Sequence, residues 1–333
     1  MAGRQRERTL FDDVLSAGEP PERLSRTRGR PNRESTVADK QRAKRTAWDR
    51  LGDSITTTHH LYLGDARRME DLLAPPAPQI HLVVTSPPYW NLKQYAADRG
   101  GAQLGHIDDR DVFLNQLNEV WKRCLDLLVA GGRMCIVVGD VCRSRRKHGR
   151  HVVEPLHSHL LVECQKLGFD PLAPIIWKKI ANATTEVEGN AGTFLGKPYE
   201  PNAIIKNDLE YVLLFRKAGG YRHPTKEQRA LSVIEKADYA VWFQQVWDDV
   251  PGEQRRGHPA PFPKEIARRL IGMFSFVGDT VLDPFCGIGT TTLAAMEMYR
   301  SSIGIEIEPQ YLALARKRLR APPPHARVHI HEP

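Results

Sequence analysis

Two short segments of the chain hold residue types whose spacing could support chemistry. The first is residues 85–90, with the sequence TSPPYW, and the second is residues 283–290, with the sequence DPFCGIGT. Each follows an apolar run rich in β-branched residues, which is typical of a buried strand, and open α/β sheets bind their ligands where such strands end. The first segment offers acceptors that could hold an amino group, and the second offers a glycine turn that could hold a nucleoside.

The segment 85–90 is suited to binding an exocyclic amine. Such an amine is a poor nucleophile because its lone pair is delocalised into the ring, and acceptors placed on its hydrogens favour a more tetrahedral nitrogen. Pro87 and Pro88 stiffen the loop and lack N–H donors, so the Pro87 carbonyl and the Ser86 hydroxyl can accept the two amine hydrogens. Tyr89 can stack on a base extracted from a duplex. The alternative is a rigid loop with no catalytic role.

The segment 283–290 is suited to binding a nucleoside cofactor. Gly287 and Gly289 let the backbone approach a ligand closely, and the following helix would add favourable N-terminal dipoles. The dinucleotide fingerprint needs a third glycine that is missing here, so a nucleoside with a smaller tail is favoured over a pyrophosphate. Asp283 would suit a positively charged amino group, and Glu306 would suit the ribose hydroxyls. These features indicate S-adenosylmethionine, while the glycines alone would also fit an ordinary tight turn.

The elements that would position these segments alternate between strands and helices. Runs of β-branched residues are separated by apolar residues at helical spacing. This alternation predicts an α/β fold with a mainly parallel, doubly wound sheet. The predicted strands are 57–63, 81–85, 133–139, 174–177, 209–215, 280–283 and 302–306, and the predicted helices are 69–73, 112–128, 157–167, 263–274 and 290–299, with a glycine stop at 131–132 after the second.

Composition agrees with a soluble protein that meets a polyanion. The 333 residues, of which 41% are hydrophobic, can bury a substantial core, and the net charge of +8 would suit phosphate groups. The five cysteines are odd in number and form no C-x-x-C pair, which disfavours disulfides and predicts reduced thiols. No stretch approaches the ~20 apolar residues of a membrane span. We therefore expect a cytoplasmic protein with no membrane partner.

Residues 1–50 are predicted to form a mobile basic arm. They mix Arg, Glu, Pro and Ser with few apolar residues and no sustained period, so they cannot bury enough surface to become ordered. Within them, residues 27–31, TRGRP, resemble the Arg-Gly-Arg-Pro core of AT-hooks, whose arginines enter a narrow minor groove. A solvated arginine-rich tail explains the same residues.

The motifs also carry a family resemblance. Residues 281–291, 304–306 and 258–264 resemble the cofactor half of amino-group DNA methyltransferases, and residues 85–90 resemble their catalytic loop, in the motif order of the β class. The resemblance covers residues 57–320 and implies a Rossmann-like, S-adenosylmethionine-dependent methyltransferase fold. The implied layout is a catalytic half at 51–178, an inserted target-recognition region at 179–257, a cofactor-binding half at 258–320 and a tail at 321–333. The strand at 210–215 could instead belong to the central sheet, which leaves the boundary of the recognition region open.

The same resemblance implies roles for individual residues. Asp65 would contact the adenine amino group of the cofactor, although a helix N-cap explains this residue equally well. Asp140, which follows the strand 133–139, would orient Ser86 or accept its proton. The implied cofactor-contacting residues are Asp65, Asp283, Pro284, Phe285, Gly287, Gly289, Thr290 and Glu306.

Ser86 favours cytosine as the target base. In the family that the chain resembles, Ser-Pro-Pro-Tyr usually marks cytosine 4-amino specificity, whereas Asp or Asn in place of the serine is typical of adenine. The resemblance therefore implies site-specific methylation of double-stranded DNA by base flipping and direct in-line transfer. It also implies a restriction-modification system, with a second copy of the chain and a cognate endonuclease as candidate partners.

Other functions remain as alternatives. The first is adenine 6-amino methylation on the same fold, and the second is a DNA-binding regulator with an inactive methylase core. Methylation of RNA or of a protein glutamine is disfavoured by the motif order, and carbon-5 methylation of cytosine by the lack of a Pro-Cys thiolate.

Some polar residues have ordinary structural explanations. Cys286 lies inside the cofactor segment, but a packing role is favoured over a nucleophile. The lysines Lys93, Lys178 and Lys179 could contact phosphate, yet solvated positions explain them as well. No metal is predicted at the four histidines of residues 148–159, since these lack cysteine partners at ligand spacing.

Overall fold

The computed structural model describes residues 36–73, 75–90, 103–143, 148–150, 152–179, 207–253 and 262–332. The strands are β1 (Thr57–Leu63), β2 (Ile80–Thr85), β3 (Leu128–Val138), β4 (Val141–Arg143), β5 (Val152–Glu154), β6 (Phe169–Lys178), β7 (Leu209–Lys217), β8 (Val246–Trp247), β9 (Thr280–Asp283), β10 (Ser301–Glu306) and β11 (Ala326–His331). The helices are α1 (Val37–Leu51), α2 (Met69–Leu72), α3 (Arg110–Leu127), α4 (Leu156–Lys166), α5 (Lys226–Leu231), α6 (Lys236–Trp242), α7 (Lys264–Phe274), α8 (Thr290–Glu297) and α9 (Pro309–Leu319).

The described strands form a nine-stranded central sheet and a separate β4-β5 hairpin. The order of the sheet is β11-β1-β10-β9-β2-β3-β7-β6-β8. Every described neighbour pair is parallel except the two that include β7. The predicted α/β fold with a mainly parallel sheet is thus confirmed.

Both faces of the central sheet are covered, as strand β2 illustrates. Val83 packs in a core with Phe113 and Trp121 of α3. Its neighbour Val84 points to the opposite face and packs in a second core with Ile266 of α7. Successive side chains of a strand alternate between faces, so a strand with helices on both sides is expected to be mainly apolar, as residues 82–84 of this strand are.

Strand register determines which loops meet. Strand β2 lies between β9 and β3, with Val83 opposite Leu282 on one side and Met134 on the other. Strand β1 pairs with β10 so that Leu63 lies opposite Glu306. All of these pairs are parallel, and their carboxyl ends therefore lie at one edge of the sheet.

Helix α1 corrects the predicted extent of the N-terminal arm. The arm was expected to continue to residue 50, but Val37–Leu51 is helical. The ring of Trp48 contacts that of Tyr299 edge-on at 4.7 Å, and its indole N–H donates to the Leu231 carbonyl at 3.2 Å. This apolar contact orders a segment that is otherwise rich in charge. The remainder of the arm, with residues 27–31, lies outside the described residues.

The glycines after α3 are part of a strand rather than a helix stop. Strand β3 begins at Leu128, opposite Ile80, and the register then shifts before Leu82 pairs with Arg133. Gly131 has a φ of +73°, and a Cβ there would lie 2.5 Å from the carbonyl oxygen of Gly220. A bulge explains both the positive φ and the early start of the strand.

Much of the predicted target-recognition region that is described belongs to the central sheet. Strand β7 pairs with both β3 and β6, and β8 extends the sheet at one edge. Trp242 and Trp247 are buried, and the Trp247 indole N–H donates to the Trp242 carbonyl at 3.0 Å. These aromatics therefore contribute to the core. Within the described residues, no helix is long and apolar enough to cross a membrane.

Candidate active site

The carboxyl ends of four parallel strands meet around one cleft. After β1, the Gly64 N–H donates to the carbonyl of Glu306 in β10 at 2.8 Å. At the end of β2, the Thr85 hydroxyl donates to the carboxylate of Asp283 in β9 at 2.7 Å. The cleft has about 610 Å³ of empty space, part of it open to solvent. Its walls are formed by Gly64, Asp65, Ala66, Ser86, Pro87, Pro88, Gln103, Leu104, Pro284, Phe285, Ile305, Glu306, Ile307 and Tyr311.

The loop after β2 brings three of its predicted catalytic residues to the cleft. Ser86, Pro87 and Pro88 all line the wall. The loop then turns at Trp90, whose φ of +48° is unusual for a residue with a side chain. The Trp90 side chain is buried, with the guanidinium of Arg143 5.3 Å from its ring centre. The buried indole anchors the far side of the loop.

Tyr89 lies behind this wall. Its side chain is 7% exposed, and it is not among the residues that line the cleft. Its hydroxyl donates to Glu210 Oε2 at 3.0 Å and accepts from Ser86 Oγ at 3.2 Å. Stacking of Tyr89 on an extracted base stays a prediction, since its ring is buried in this conformation.

Glu306 is a buried carboxylate on the wall of the cleft. It accepts the N–H of Gly287 on one oxygen at 2.7 Å and the N–H of Glu308 on the other at 2.9 Å. Burial raises the pKa of Glu306 to about 7, although both backbone donors act to lower it. A carboxylate has further lone pairs beyond these two bonds, so Glu306 can still accept hydrogen bonds from a ligand.

Asp283 has a different position from the one predicted. Its carboxylate accepts the hydroxyls of Thr85 at 2.7 Å and Thr291 at 2.6 Å, and the N–H of Phe285 at 3.1 Å. The residue is 1% exposed and does not line the cleft. Burial raises its pKa to about 6, although its three donors act to lower it. In this structure Asp283 joins three segments behind the cleft, and its predicted contact with a ligand amino group stays a prediction.

The glycine turn has the backbone that the sequence predicted. Gly287 and Gly289 have φ values of +51° and +76°, in the left-handed region that favours glycine. Gly289 is the N-cap of α8. Cys286 is buried against Gly304, where a Cβ would lie 2.9 Å from that of Cys286. Burial also raises the pKa of the Cys286 thiol well above its usual value, which agrees with packing and disfavours a nucleophile.

The other predicted cofactor residues are divided between the cleft and the core. Pro284 and Phe285 line the cleft, and Phe285 packs edge-on against Trp121 with ring centres 5.9 Å apart. Thr290 is buried at the start of α8, where its hydroxyl accepts from Arg318 at 3.2 Å. Thr290 is not among the cleft residues.

Asp65 lines the cleft and also caps a helical turn. Its carboxylate accepts the N–H of Arg67 at 2.9 Å, at the start of the 3-10 turn Ala66–Arg68, and forms an ion pair with the Arg67 guanidinium at 2.5 Å. Both explanations considered from the sequence are thus compatible with its position.

Asp140 is held away from Ser86. One carboxylate oxygen contacts His157 twice, at 2.7 Å to the ring Nδ1 and at 3.2 Å to the backbone N–H. The His157 ring stacks on Tyr211 with centres 3.8 Å apart. Ser86 instead donates to Tyr89. The predicted contact of Asp140 with Ser86 is therefore not present in this structure.

Sequence reasoning missed several residues around the cleft. Gln103, Leu104 and Tyr311 line it, and the Gln103 amide donates to the Glu308 carboxylate at 3.3 Å. Their sequence neighbourhoods carry no motif, so only the long-range folding reveals them. Glu210 was also missed, although a carboxylate inside an apolar strand is an unusual residue that could have drawn notice.

The remaining polar candidates have partners or lie outside the described residues. Lys179 forms an ion pair with Glu210 at 2.9 Å, Lys178 is exposed, and Lys93 is outside. His159 contacts Glu154 at 2.9 Å. Among the described residues, no cluster of three or more His, Cys, Asp or Glu could hold a metal ion.

Comparisons with known proteins agree with this geometry. The model of the DNA methylase family N6_N4_Mtase matches residues 80–317. The Type II methyltransferase M.MjaI of Methanocaldococcus jannaschii is 35% identical over 293 residues, covering 80% of this chain and 92% of that protein. M.MthZI of Methanothermobacter thermautotrophicus is 33% identical over 287 residues, covering 80% and 77%.

A solved structure is similar as well. TTHA0409 of Thermus thermophilus, crystallised with S-adenosyl-L-methionine, is 47% identical, with a TM-score of 0.66 and coverage of 82% of this chain and 98% of that one. The matched family segment includes the loop 85–90, the glycine turn and Glu306. The chain therefore belongs to the N6_N4_Mtase family of DNA methylases.

Proposed function

We propose that this DNA methylase transfers a methyl group from S-adenosylmethionine to the 4-amino group of cytosine in double-stranded DNA. The observation that carries the proposal is that one cleft is lined both by Ser86, Pro87 and Pro88 and by Phe285 and Glu306. An amine acceptor loop and a nucleoside site thus share one cavity.

The cleft residues fit the cofactor. Glu306 has acceptor capacity left for two ribose hydroxyls after binding two backbone N–H groups. Leu104 and Phe285 offer apolar walls for an adenine ring, and Asp65 offers a carboxylate for its amino group. The cofactor would supply an electrophilic methyl group on a sulfonium. Asp283 supports the site from behind by joining Thr85 and Thr291.

The chain's own contribution to the reaction is to orient the amine. The Pro87 carbonyl and Ser86 Oγ accept its two hydrogens, so its lone pair is directed toward the methyl carbon, and effective molarity supplies most of the rate. The base must leave the duplex to reach this loop. Serine at residue 86 favours cytosine, and residues of the segment 179–257 would read the target sequence. The names of the relatives, as Type II methyltransferases, support a restriction-modification role.

Product analysis tests the proposal. Purified protein is incubated with mixed-sequence DNA and methyl-labelled S-adenosylmethionine, and the digested nucleosides are identified by mass spectrometry, with Ser86→Ala as the inactive control. 4-Methylcytosine is the expected product. A 6-methyladenine product would overturn the choice of cytosine and favour adenine 6-amino methylation, which the family name N6_N4_Mtase also includes. No labelled base, together with no cofactor binding in a titration, would favour a regulator with an inactive core.

A further inference from the structure

A chain of hydrogen bonds runs from the catalytic loop into the protein. Ser86 Oγ donates to the Tyr89 hydroxyl at 3.2 Å, and this hydroxyl donates to Glu210 Oε2 at 3.0 Å. The other oxygen of Glu210 accepts from Lys179 Nζ at 2.9 Å. The residues come from the loop after β2, from β7 and from the end of β6. The row of hydrogen bonds therefore runs along the edge of the sheet at which β2 ends.

The structure encloses the centre of this chain tightly. Glu210 is 9% exposed. At Gly139, which directly follows β3, a Cβ would lie 3.2 Å from Glu210 Cγ and 3.4 Å from Tyr89 Cε2. A glycine at this position thus lets the two side chains meet. A buried carboxylate is costly unless it is paired, and Lys179 supplies the opposite charge.

This arrangement controls where the Ser86 lone pairs point. A hydrogen bond from a hydroxyl to an ionised carboxylate is among the stronger ones, so Glu210 fixes the proton of Tyr89 on its own side. The Tyr89 oxygen accepts the proton of Ser86. With that proton directed into the protein, the lone pairs of Ser86 Oγ are free to face the cleft. An amine hydrogen in the cleft needs such an acceptor.

We propose that Glu210 is a positioning residue for methyl transfer and receives the proton that the amine releases, an inference that rests on the proposed function. The amine nitrogen forms a bond to the methyl carbon, and the pair of the broken carbon–sulfur bond stays on sulfur. The excess amine proton passes to Ser86 Oγ while the proton of Ser86 passes to Tyr89 Oη. The proton of Tyr89 passes to Glu210, whose carboxylate becomes a neutral acid beside Lys179.

Single-turnover kinetics of a double-mutant cycle test this role. Glu210→Gln removes the proton acceptor at nearly constant size, and Tyr89→Phe removes only the hydroxyl. We expect each substitution to lower the rate of transfer at saturating DNA and cofactor by about 100-fold. The dissociation constants for S-adenosylmethionine and DNA, measured without turnover, should remain within about threefold. Because Glu210 acts through Tyr89, the double variant should be at most about threefold slower than the slower of the two single variants.

A matched control separates this role from general destabilisation. Glu154 is also 9% exposed and pairs with Arg110 at 3.3 Å, but it belongs to the β4-β5 hairpin. Glu154→Gln should leave the transfer rate unchanged. If Glu210→Gln fails to fold, Tyr89→Phe and Glu210→Asp still test the row of hydrogen bonds. Glu210→Asp keeps a carboxylate and should recover part of the rate.

The outcomes are distinct. Additive losses of rate in the double variant, or an unchanged rate in Glu210→Gln, would overturn the inference. The proposed function would still stand, because it depends on the activity of the wild-type protein. A large loss in Asp140→Asn with none in Glu210→Gln would move the proton acceptor to Asp140. A wild-type protein that methylates no base would overturn the proposed function and this inference with it.

Discussion

The hydroxyl of Thr85 donates a 2.7 Å hydrogen bond to the carboxylate of Asp283, which lies 198 residues later in the chain. The bond connects the last residue of β2 to the last residue of β9, directly before the loop 86–90 and the glycine turn. Both residues are buried. The loop after β2 and the glycine turn after β9 are therefore held together by a buried contact behind the cleft.

Thr85→Val should destabilise the protein through this contact. The substitution keeps the β-branched shape but leaves the buried Asp283 carboxylate with one donor fewer, so we expect the free energy of unfolding to fall by about 1–3 kcal/mol. Urea denaturation measures this change. Thr85→Ser keeps the hydroxyl and serves as the control. No loss in Thr85→Val would show that the hydrogen bond does not contribute, and a loss confined to Thr85→Ser would assign the stabilisation to the methyl group.

Glu306→Gln should weaken cofactor binding. Hydrogen bonds from two ribose hydroxyls to a charged acceptor would be replaced by bonds to a neutral amide, and we expect affinity for S-adenosylmethionine to fall about 10–100-fold by titration calorimetry. The pKa of Glu306 is raised to about 7, so wild-type affinity should increase from pH 6 to pH 8 as the carboxylate ionises. The variant should lose this pH dependence; an identical slope in both proteins would contradict the assignment.

The free energy of unfolding of the cofactor-free protein should fall as pH rises, because of the buried carboxyl groups of Asp283 and Glu306. Burial raises the folded-state pKa of Asp283 from 3.8 to about 6 and that of Glu306 from 4.5 to about 7. The folded state therefore holds more protons than the unfolded state between about pH 4 and pH 7, and the free energy of unfolding must decrease across that window. Urea midpoints at pH 4.5 and 7.5 measure the change. Asp283→Asn and Glu306→Gln should each make this decrease with pH smaller. A larger decrease in either variant would show that the replaced carboxyl group does not cause it.

Thiol labelling should distinguish the five cysteines. Cys142 is exposed, whereas Cys124, Cys135, Cys164 and Cys286 are buried. Burial raises the pKa of each buried thiol well above its usual value, which further lowers reactivity. Ellman's reagent should thus modify one thiol rapidly in the native protein, and Cys142→Ala should remove that phase. A fast phase that persists in Cys142→Ala would place a reactive thiol elsewhere.

Local sequence patterns predicted the elements of the site well, for reasons that lie within each segment. Prolines stiffen the loop after β2, and glycines adopt the positive φ values of the turn after β9. Alternation of strands and helices predicted the parallel sheet. The ordered helix α1 was missed because its stability comes from the contact of Trp48 with Tyr299, which no local pattern reveals.

The sequence alone determined the type of fold, the two motifs and the chemistry that they could support, since these depend on residue types within a few positions. Only the tertiary structure decided the partners of the buried carboxylates. Asp283 joins Thr85 and Thr291, Asp140 binds His157, and Glu210 meets Tyr89. A carboxylate's role depends on which donors lie within about 3 Å, and strand order and register bring those donors from distant parts of the chain.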